Sequence, residues 1–222
     1  ELQARFRFTG DIPGFKPRFN IAPTQNIIIV RQQDDDRLAQ TARWGFVPHY
    51  AKTLDVGYKM INARAETVDE KRSYSQAFRE NRVIIPATGF YEWKQVGGRK
   101  FPYSFHLPEM KPFGLAGVTS TFIKGDVRVE TAAIITVKAD KTVSEVHDRM
   151  PAIIPQSLED DWLSPETGSE DLKEILKPFD GKLESHPVSS LVNNPANDTP
   201  EVVKPAEALQ EQVVNQKTLG DY

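Results

Sequence analysis

The residues able to do chemistry in this chain fall in six short segments that set polar or charged groups among apolar ones. These are Phe19-Asn20-Ile21-Ala22-Pro23-Thr24, Arg43-Trp44-Gly45-Phe46-Val47-Pro48, Met60-Ile61-Asn62-Ala63-Arg64-Ala65-Glu66-Thr67, Gly89-Phe90-Tyr91-Glu92-Trp93-Lys94, Glu145-Val146-His147-Asp148-Arg149-Met150-Pro151 and Ser185-His186-Pro187-Val188-Ser189. Glu92 lies between Tyr91 and Trp93, and an aromatic setting disfavours the charged carboxylate and moves its pKa toward values useful for proton transfer. The bland alternative is a surface glutamate paired with Lys94. His147, with a reference pKa near 6.5, suits an acid–base shuttle, although a lone histidine is also often a capped core or surface residue. Asn62 offers a neutral amide that can hold a reacting group without competing for its proton. Its alternative is a satisfied turn asparagine.

Other chemistries are poorly supported. The chain has no cysteine, which rules out disulfides and thiolate metal sites within it. His49, His106, His147 and His186 have no metal-ligand spacing, so no metal and no other cofactor is expected. His106 and His186 read as structural. No Ser-His-Asp or Cys-His arrangement can be traced. The net charge of −3 argues weakly against nucleic acid, but residues 1–100 hold 17 Lys and Arg against 11 Asp and Glu, while residues 101–222 hold 11 against 20. Such asymmetry fits a basic face on an acidic body, or simply a basic coat on the first half. Arg64 is two residues from Asn62, so on an extended segment both side chains face the same way.

The elements that must position these groups are mostly strands. Leu2 and Phe6 suit the end of a helix closed before Gly10; residues 11–25 form an ordered Pro- and Gly-rich loop. Asn26–Val30 is a strand that turns at Asp34-Asp35-Asp36 and returns as Leu38–Trp44. Tyr74, Ala77 and Phe78 place an amphipathic helix over Thr67–Glu80. Short strands follow at 83–87, 89–94, 101–106, 113–118 and 129–137, with hairpin turns at Gly97-Gly98 and Lys124-Gly125-Asp126. Ser157–Trp162 and Ser169–Leu176 are expected as short helices, each begun by a serine cap. From Asn193 the chain reads as a Pro- and Asn-rich, then polar, tail. The sum is an α+β fold, a single β-rich domain over 1–222 with a curved antiparallel sheet or barrel-like core and peripheral helices. No apolar run reaches the ~20 residues of a membrane span, and no signal peptide is visible, so a cytoplasmic protein is expected, nucleoid-associated when bound to DNA; a monomer is the expected state.

The six segments, in this order across residues 19–189, resemble the signatures of the SOS-response-associated peptidase (SRAP) family: N-x-A-P, W-G-x-x-P, I-N-A-R-x-E-T, F-x-E-W-K, H-D-R-x-P and H-P-V-S. The resemblance implies a barrel-like domain with a positively charged groove, partnered by single-stranded DNA carrying abasic sites. It implies autoproteolytic removal of an initiator methionine and lyase-like capture of the abasic sugar, whose ring-opened aldehyde closes with an N-terminal cysteine into a thiazolidine. It gives Asn62, Glu92 and His147 to catalysis and Arg64, Arg72 and Arg149 to the DNA groove. Asn20 and Pro23 match the loop that packs against the abasic site, and Trp44 is either core or DNA platform. His49-Tyr50 stands where some relatives carry a tryptophan pair that wedges against DNA.

One part of that pattern is not in view. The family's Met-Cys-Gly-Arg-Phe start would precede Glu1, whose own neighbourhood resembles the helix that follows it. A chain with the cysteine ahead of Glu1 is expected to capture abasic sites. A chain naturally without it would bind DNA without covalent chemistry, and a peptidase acting on other proteins is the third possibility.

Overall fold

The computed structural model describes residues 1–10, 12 and 14–206. In chain order its elements are α1 (Leu2–Phe6), β1 (Phe8–Thr9), β2 (Asn26–Gln33), β3 (Asp36–Trp44), β4 (Asn62–Arg64), α2 (Ser75–Glu80), β5 (Arg82–Ala87), β6 (Gly89–Val96) and β7 (Arg99–His106). Then follow β8 (Phe113–Lys124), β9 (Val127–Lys138), β10 (Arg149–Pro151), β11 (Ile153–Ile154), α3 (Glu159–Leu163), α4 (Ser169–Ile175) and β12 (Glu184–Pro187).

The β-branched run Ile27–Val30 explains the start of the main sheet. It forms β2, which turns at Asp34 (φ 52°) and pairs antiparallel with β3 through eight residues. From β2 the sheet runs to β5, β8 and β9, the last two being a long hairpin over Gly125. β9 then meets β3 in parallel, Arg43 opposite Thr131 and Trp44 opposite Ala132, which closes five strands into a barrel. Closure shortens the exposed edges of those strands. Ile29, Val30, Ile84, Ala116, Val118, Ala132, Ala133 and Ile135 are fully buried and belong to the main hydrophobic core, which by strand alternation lies on both faces of the barrel wall. The far half of β9 extends beyond the barrel and takes β4 on one side and β10 on the other; Thr136 is opposite Arg64 in one and Pro151 in the other.

A second sheet, β6-β7-β12, stands beside the barrel. Alternation along β6 gives it two faces. Phe90 stacks on Phe105 with ring centroids 5.2 Å apart and joins the main core. Glu92 and Lys94 share that face by register. Tyr91 and Trp93 point the other way, into a small cluster of Val188, Val192, Val202, Phe19 and Val203.

Charged side chains hold the helices in place. Glu159, buried on α3, receives two hydrogen bonds from Arg5 at 2.8 and 3.1 Å and one from the buried Arg37 at 3.3 Å. Asp160 receives Arg7 and Arg37 at 2.5 and 2.7 Å. Hydrogen bonding from Arg7 is the largest effect on the Asp160 carboxyl; against burial, and helped by the Arg37 hydrogen bond and both charges, it holds the group below its usual range. This network fastens α1 to α3 and β3. Arg82 is buried without a carboxylate; it donates to the carbonyls of Phe78, Arg79, Trp162 and Ser164, closing the C-terminal ends of α2 and α3 together.

Three local expectations are corrected. The helix expected over 67–80 is only α2, preceded by turns from Ala65 to Ser73. Val68 and Tyr74 are both buried, and six residues apart on one helix they would point about 120° away from each other. Breaking the helix between them lets both reach the core. The serine caps are also absent: α3 starts after Leu158 and α4 after Gly168, neither with a side-chain cap, although acids do fill both first turns. The third correction concerns the tail. As far as Ala206 it packs on the rear of the second sheet, with Val192 and Val202 buried, and Ala206 N–H donating to Pro187.

Candidate active site

β6 and the turn before β10 bring Glu92 and His147 together. Glu92 Oε2 lies 3.9 Å from His147 Nδ1, and Asp148 Oδ1 lies 3.4 Å from the same nitrogen. The Glu92 side chain is 22% exposed and that of His147 is 41% exposed. Both line an open depression of about 530 Å³ with Lys94, Lys100, Glu145 and Asp148 around it. Burial raises the Glu92 carboxyl above its usual range; the His147 charge pulls it down, Asp148 pushes it up, and the Trp93 backbone N–H lowers it again. The paired aromatics matter indirectly. Tyr91 O–H donates to Phe19 O at 2.8 Å and Trp93 Nε1–H to Asn193 Oδ1 at 2.7 Å, on the opposite face of β6. Those bonds pin the strand from behind.

His147 has a backbone partner in either protonation state. Its Nδ1 is 3.0 Å from the N–H of Arg149 and 3.1 Å from the carbonyl of the same residue. As an acceptor it takes the N–H; as a donor it finds the carbonyl.

Asn62 and Arg64 project from β4, both exposed, with buried Ala63 between them. Register places Arg64 beside Thr136 and Lys138 beside Arg149, so these side chains share one outer face of the β4-β9-β10 ribbon. The Asn62 side-chain amide makes no hydrogen bond among the described residues, while the residue's backbone carbonyl accepts from Tyr74 O–H at 3.3 Å. Asn62 is not part of the lining of the depression that holds Glu92 and His147. Arg149 is gripped: its two terminal nitrogens meet both Glu66 oxygens at 2.5 and 2.9 Å, and Nη2 also reaches Thr136 O at 2.5 Å.

The other expected DNA contacts divide into two groups. His49, Tyr50 and Arg72 come together at the surface. The Arg72 guanidinium stands 4.9 Å from the Tyr50 ring centre, His49 meets Tyr50 edge-on at 5.3 Å, and Tyr50 O–H pairs with Ser73 Oγ at 2.9 Å. The loop bearing His49 and Tyr50 is closed at its neck by Gly45 and Gly57, where a side chain on either would come within 3 Å of the other's carbonyl oxygen. Asn20 and Trp44, in contrast, are occupied structurally. Asn20 is 5% exposed, and its Nδ2 faces the carbonyls of Val192, Asn194 and Asn197 at 3.0–3.2 Å. Trp44 packs on the barrel and donates Nε1–H to Ile61 O at 3.0 Å, fixing the entry to β4. Pro23 is half-buried beside Thr24, whose N–H donates to Trp44 O at 2.8 Å. Sequence reasoning missed Glu66 as the partner of Arg149 and Asp198 as an anchor. Asp198 accepts from the Phe19 and Asn20 N–H groups at 2.6 and 2.9 Å and pairs with Arg18. The E in I-N-A-R-x-E-T was the available signal for the first; nothing in the sequence marked the second.

His106 and His186 face each other with Nε2 and Nδ1 3.4 Å apart, their other nitrogens on the carbonyls of Leu107 and Val203. They join β7 and β12 to the C-terminal segment. Among the described residues no group of three or more His, Asp or Glu is placed to hold a metal. No helix in them is long and apolar enough to cross a membrane.

A barrel-based α+β protein with a carboxyl–imidazole pair next to a half-buried, ion-paired arginine is the class that fold and site define. The chain belongs to the SOS response associated peptidase (SRAP) family, whose model matches residues 1–195. It is 40% identical over 195 residues to Abasic site processing protein YoqW of Bacillus subtilis (strain 168), covering 86% of this chain and 87% of that protein. It is 32% identical over 228 residues to Abasic site processing protein HMCES of Gallus gallus, covering 87% and 67%. The solved structure of a Bacteroides thetaiotaomicron protein matches with TM-score 0.75 and 29% identity over 82% of each chain.

Proposed function

We propose that this protein, acting as a single domain, processes abasic sites in single-stranded DNA by capturing them covalently, with Glu92 and His147 moving the protons. The observation that carries the proposal is the 3.9 Å approach of a desolvated carboxyl to an imidazole in an open depression. Membership of a family whose relatives are named for abasic-site processing gives that pair its substrate.

The nucleophile in this reading is an N-terminal cysteine ahead of Glu1, a reading that the family resemblance supports. Its α-amine, with a reference pKa of about 7.7–8.0, is substantially neutral near pH 7.5. His147 takes and returns the proton that opens the sugar hemiacetal to its aldehyde. The amine condenses with the aldehyde carbon, releasing one water, and Glu92 relays protons between amine and departing hydroxyl. The thiol then adds across the C=N bond, its proton passing to nitrogen, which closes a thiazolidine. No oxidant or reductant enters. Asn62 holds the amine or the developing oxyanion from β4. Arg64 and Arg149 meet backbone phosphates, while Tyr50, backed by Arg72 and His49, stacks on an unpaired base.

Protein bearing the native N-terminus is expected to form a denaturation-resistant adduct with an abasic single-stranded oligonucleotide and none with the intact oligonucleotide. Absence of the adduct, with the cysteine present, refutes covalent capture. Equal, salt-sensitive retention of both oligonucleotides in that case marks a non-covalent binding module.

A further inference from the structure

We infer that Glu66 occupies, in the free protein, the guanidinium fork of Arg149 that a backbone phosphate of single-stranded DNA takes over on binding. The inference rests on the proposed function and adds an internal competitor to it. Both carboxylate oxygens of Glu66 meet the two terminal nitrogens of Arg149, at 2.5 and 2.9 Å. That two-oxygen grip is the arrangement a phosphate also offers to arginine. The fork keeps its aim without Glu66, because Nη2 is independently bound to Thr136 O at 2.5 Å. Glu66 is the outer partner, its side chain 46% exposed against 17% for Arg149. It stands on a short turn of three residues, from which a long side chain can swing into water.

The surroundings favour exchange. Arg64 is close enough to lower the Glu66 carboxyl pKa, after the larger effect of Arg149 hydrogen bonding, so the competitor is fully charged near neutral pH. Lys138, exposed, is the register partner of Arg149. Two cations, Arg149 and Arg64, thus act on one carboxylate, and Lys138 stands across the register from the first. A phosphate arriving among them replaces Glu66 on Arg149, and the released carboxylate turns to solvent. The Arg149 N–H that supports His147 Nδ1 belongs to the same residue, so the exchange takes place two residues from the imidazole.

The test is a double-mutant cycle on binding of intact oligothymidylate, which has no abasic site and so excludes covalent chemistry. Wild type, Glu66→Gln, Arg149→Gln and the double variant are titrated by fluorescence anisotropy at low salt, with melting curves confirming that each is folded. Glu66→Gln is expected to tighten binding about threefold to fivefold in the wild-type background. In the Arg149→Gln background that gain disappears. An equal gain in both backgrounds shows simple removal of negative charge and overturns the inference. Weaker binding by Glu66→Gln shows a brace rather than a competitor and also overturns it. If Arg149→Gln does not fold, Arg149→Lys replaces it, since an ammonium cannot be gripped by two oxygens in the same way; the gain then falls below about twofold. Failure of wild type to bind the oligonucleotide removes the proposed function and this inference together; binding without coupling removes only the inference.

Discussion

Replacing Asn20 with alanine separates two jobs that one residue could hold. In the structure its amide faces the carbonyls of Val192, Asn194 and Asn197, joining the loop before β2 to the C-terminal segment behind the second sheet. Asn194 O keeps a partner in the Asn197 N–H at 2.9 Å, so alanine deprives chiefly Val192 and Asn197. A buried carbonyl left without a donor costs about 1–3 kcal/mol, and the half-buried Asn197 carbonyl, which water can reach, costs at the low end. The sum is roughly 2–4 kcal/mol. At about 2–4 °C per kcal/mol for a chain of this size, the melting temperature falls by roughly 5–15 °C. The assay pairs thermal melting with DNA binding measured well below the transition. We expect the melting temperature to drop and the affinity of the folded protein to stay within about twofold. An unchanged melting temperature with markedly weaker binding would refute the structural account and return Asn20 to the DNA interface.

Other perturbations test the remaining parts. Glu92→Gln should slow adduct formation by about 10²-fold or more while leaving the protein as stable or more so. Because the folded carboxyl is raised by burial, wild-type stability falls as pH climbs from the ordinary glutamate value near 4.3 through the folded one. The glutamine variant lacks that fall, so the difference between the two melting temperatures opens over the same window; a constant difference from pH 4 to 8 would contradict it. Tyr50→Ala should weaken single-strand binding by about 1–3 kcal/mol with little change in salt dependence, whereas Arg64→Gln should reduce the logarithmic salt slope by about 0.7. The reverse pattern in titrations at several salt concentrations would show that stacking and phosphate contact have been assigned to the wrong residues. Glu159→Gln leaves Arg5 and Arg37 short of a buried counter-charge and should cost about 3–5 kcal/mol in urea unfolding; a loss below 1 kcal/mol would show that the network does not anchor α1.

The barrel was legible because its strands carry their own local signals. Ile27–Val30 has the β-branched run, and Gly125 takes positive φ at the β8–β9 turn, as Gly97 and Gly98 do at the β6–β7 turn of the second sheet. The Glu92–His147 pair was legible through the motifs around it, not through periodicity, since the two lie 55 positions apart and meet only when the second sheet docks beside β10. What stayed hidden depends on long-range partners. Asn20 reads as an exposed loop amide until the segment 192–198 folds over it. The Pro- and Asn-rich stretch from Asn193 reads as a tail because its apolar anchors, Val192 and Val202, are too sparse to show a period. Arg149 looks like a free cation until β4 brings Glu66 across β9. The helix at 67–80 fails for the same reason: Val68 and Tyr74 both obey the core, and no single helix satisfies both.

Intact-mass measurement of the protein with its native N-terminus, after incubation with abasic single-stranded oligonucleotide, tests the central claim most directly. The account requires a species equal to protein plus oligonucleotide less one water, formed fast by wild type and far more slowly by Glu92→Gln and His147→Gln. No such species, or its formation at equal rates in all three proteins, would contradict it.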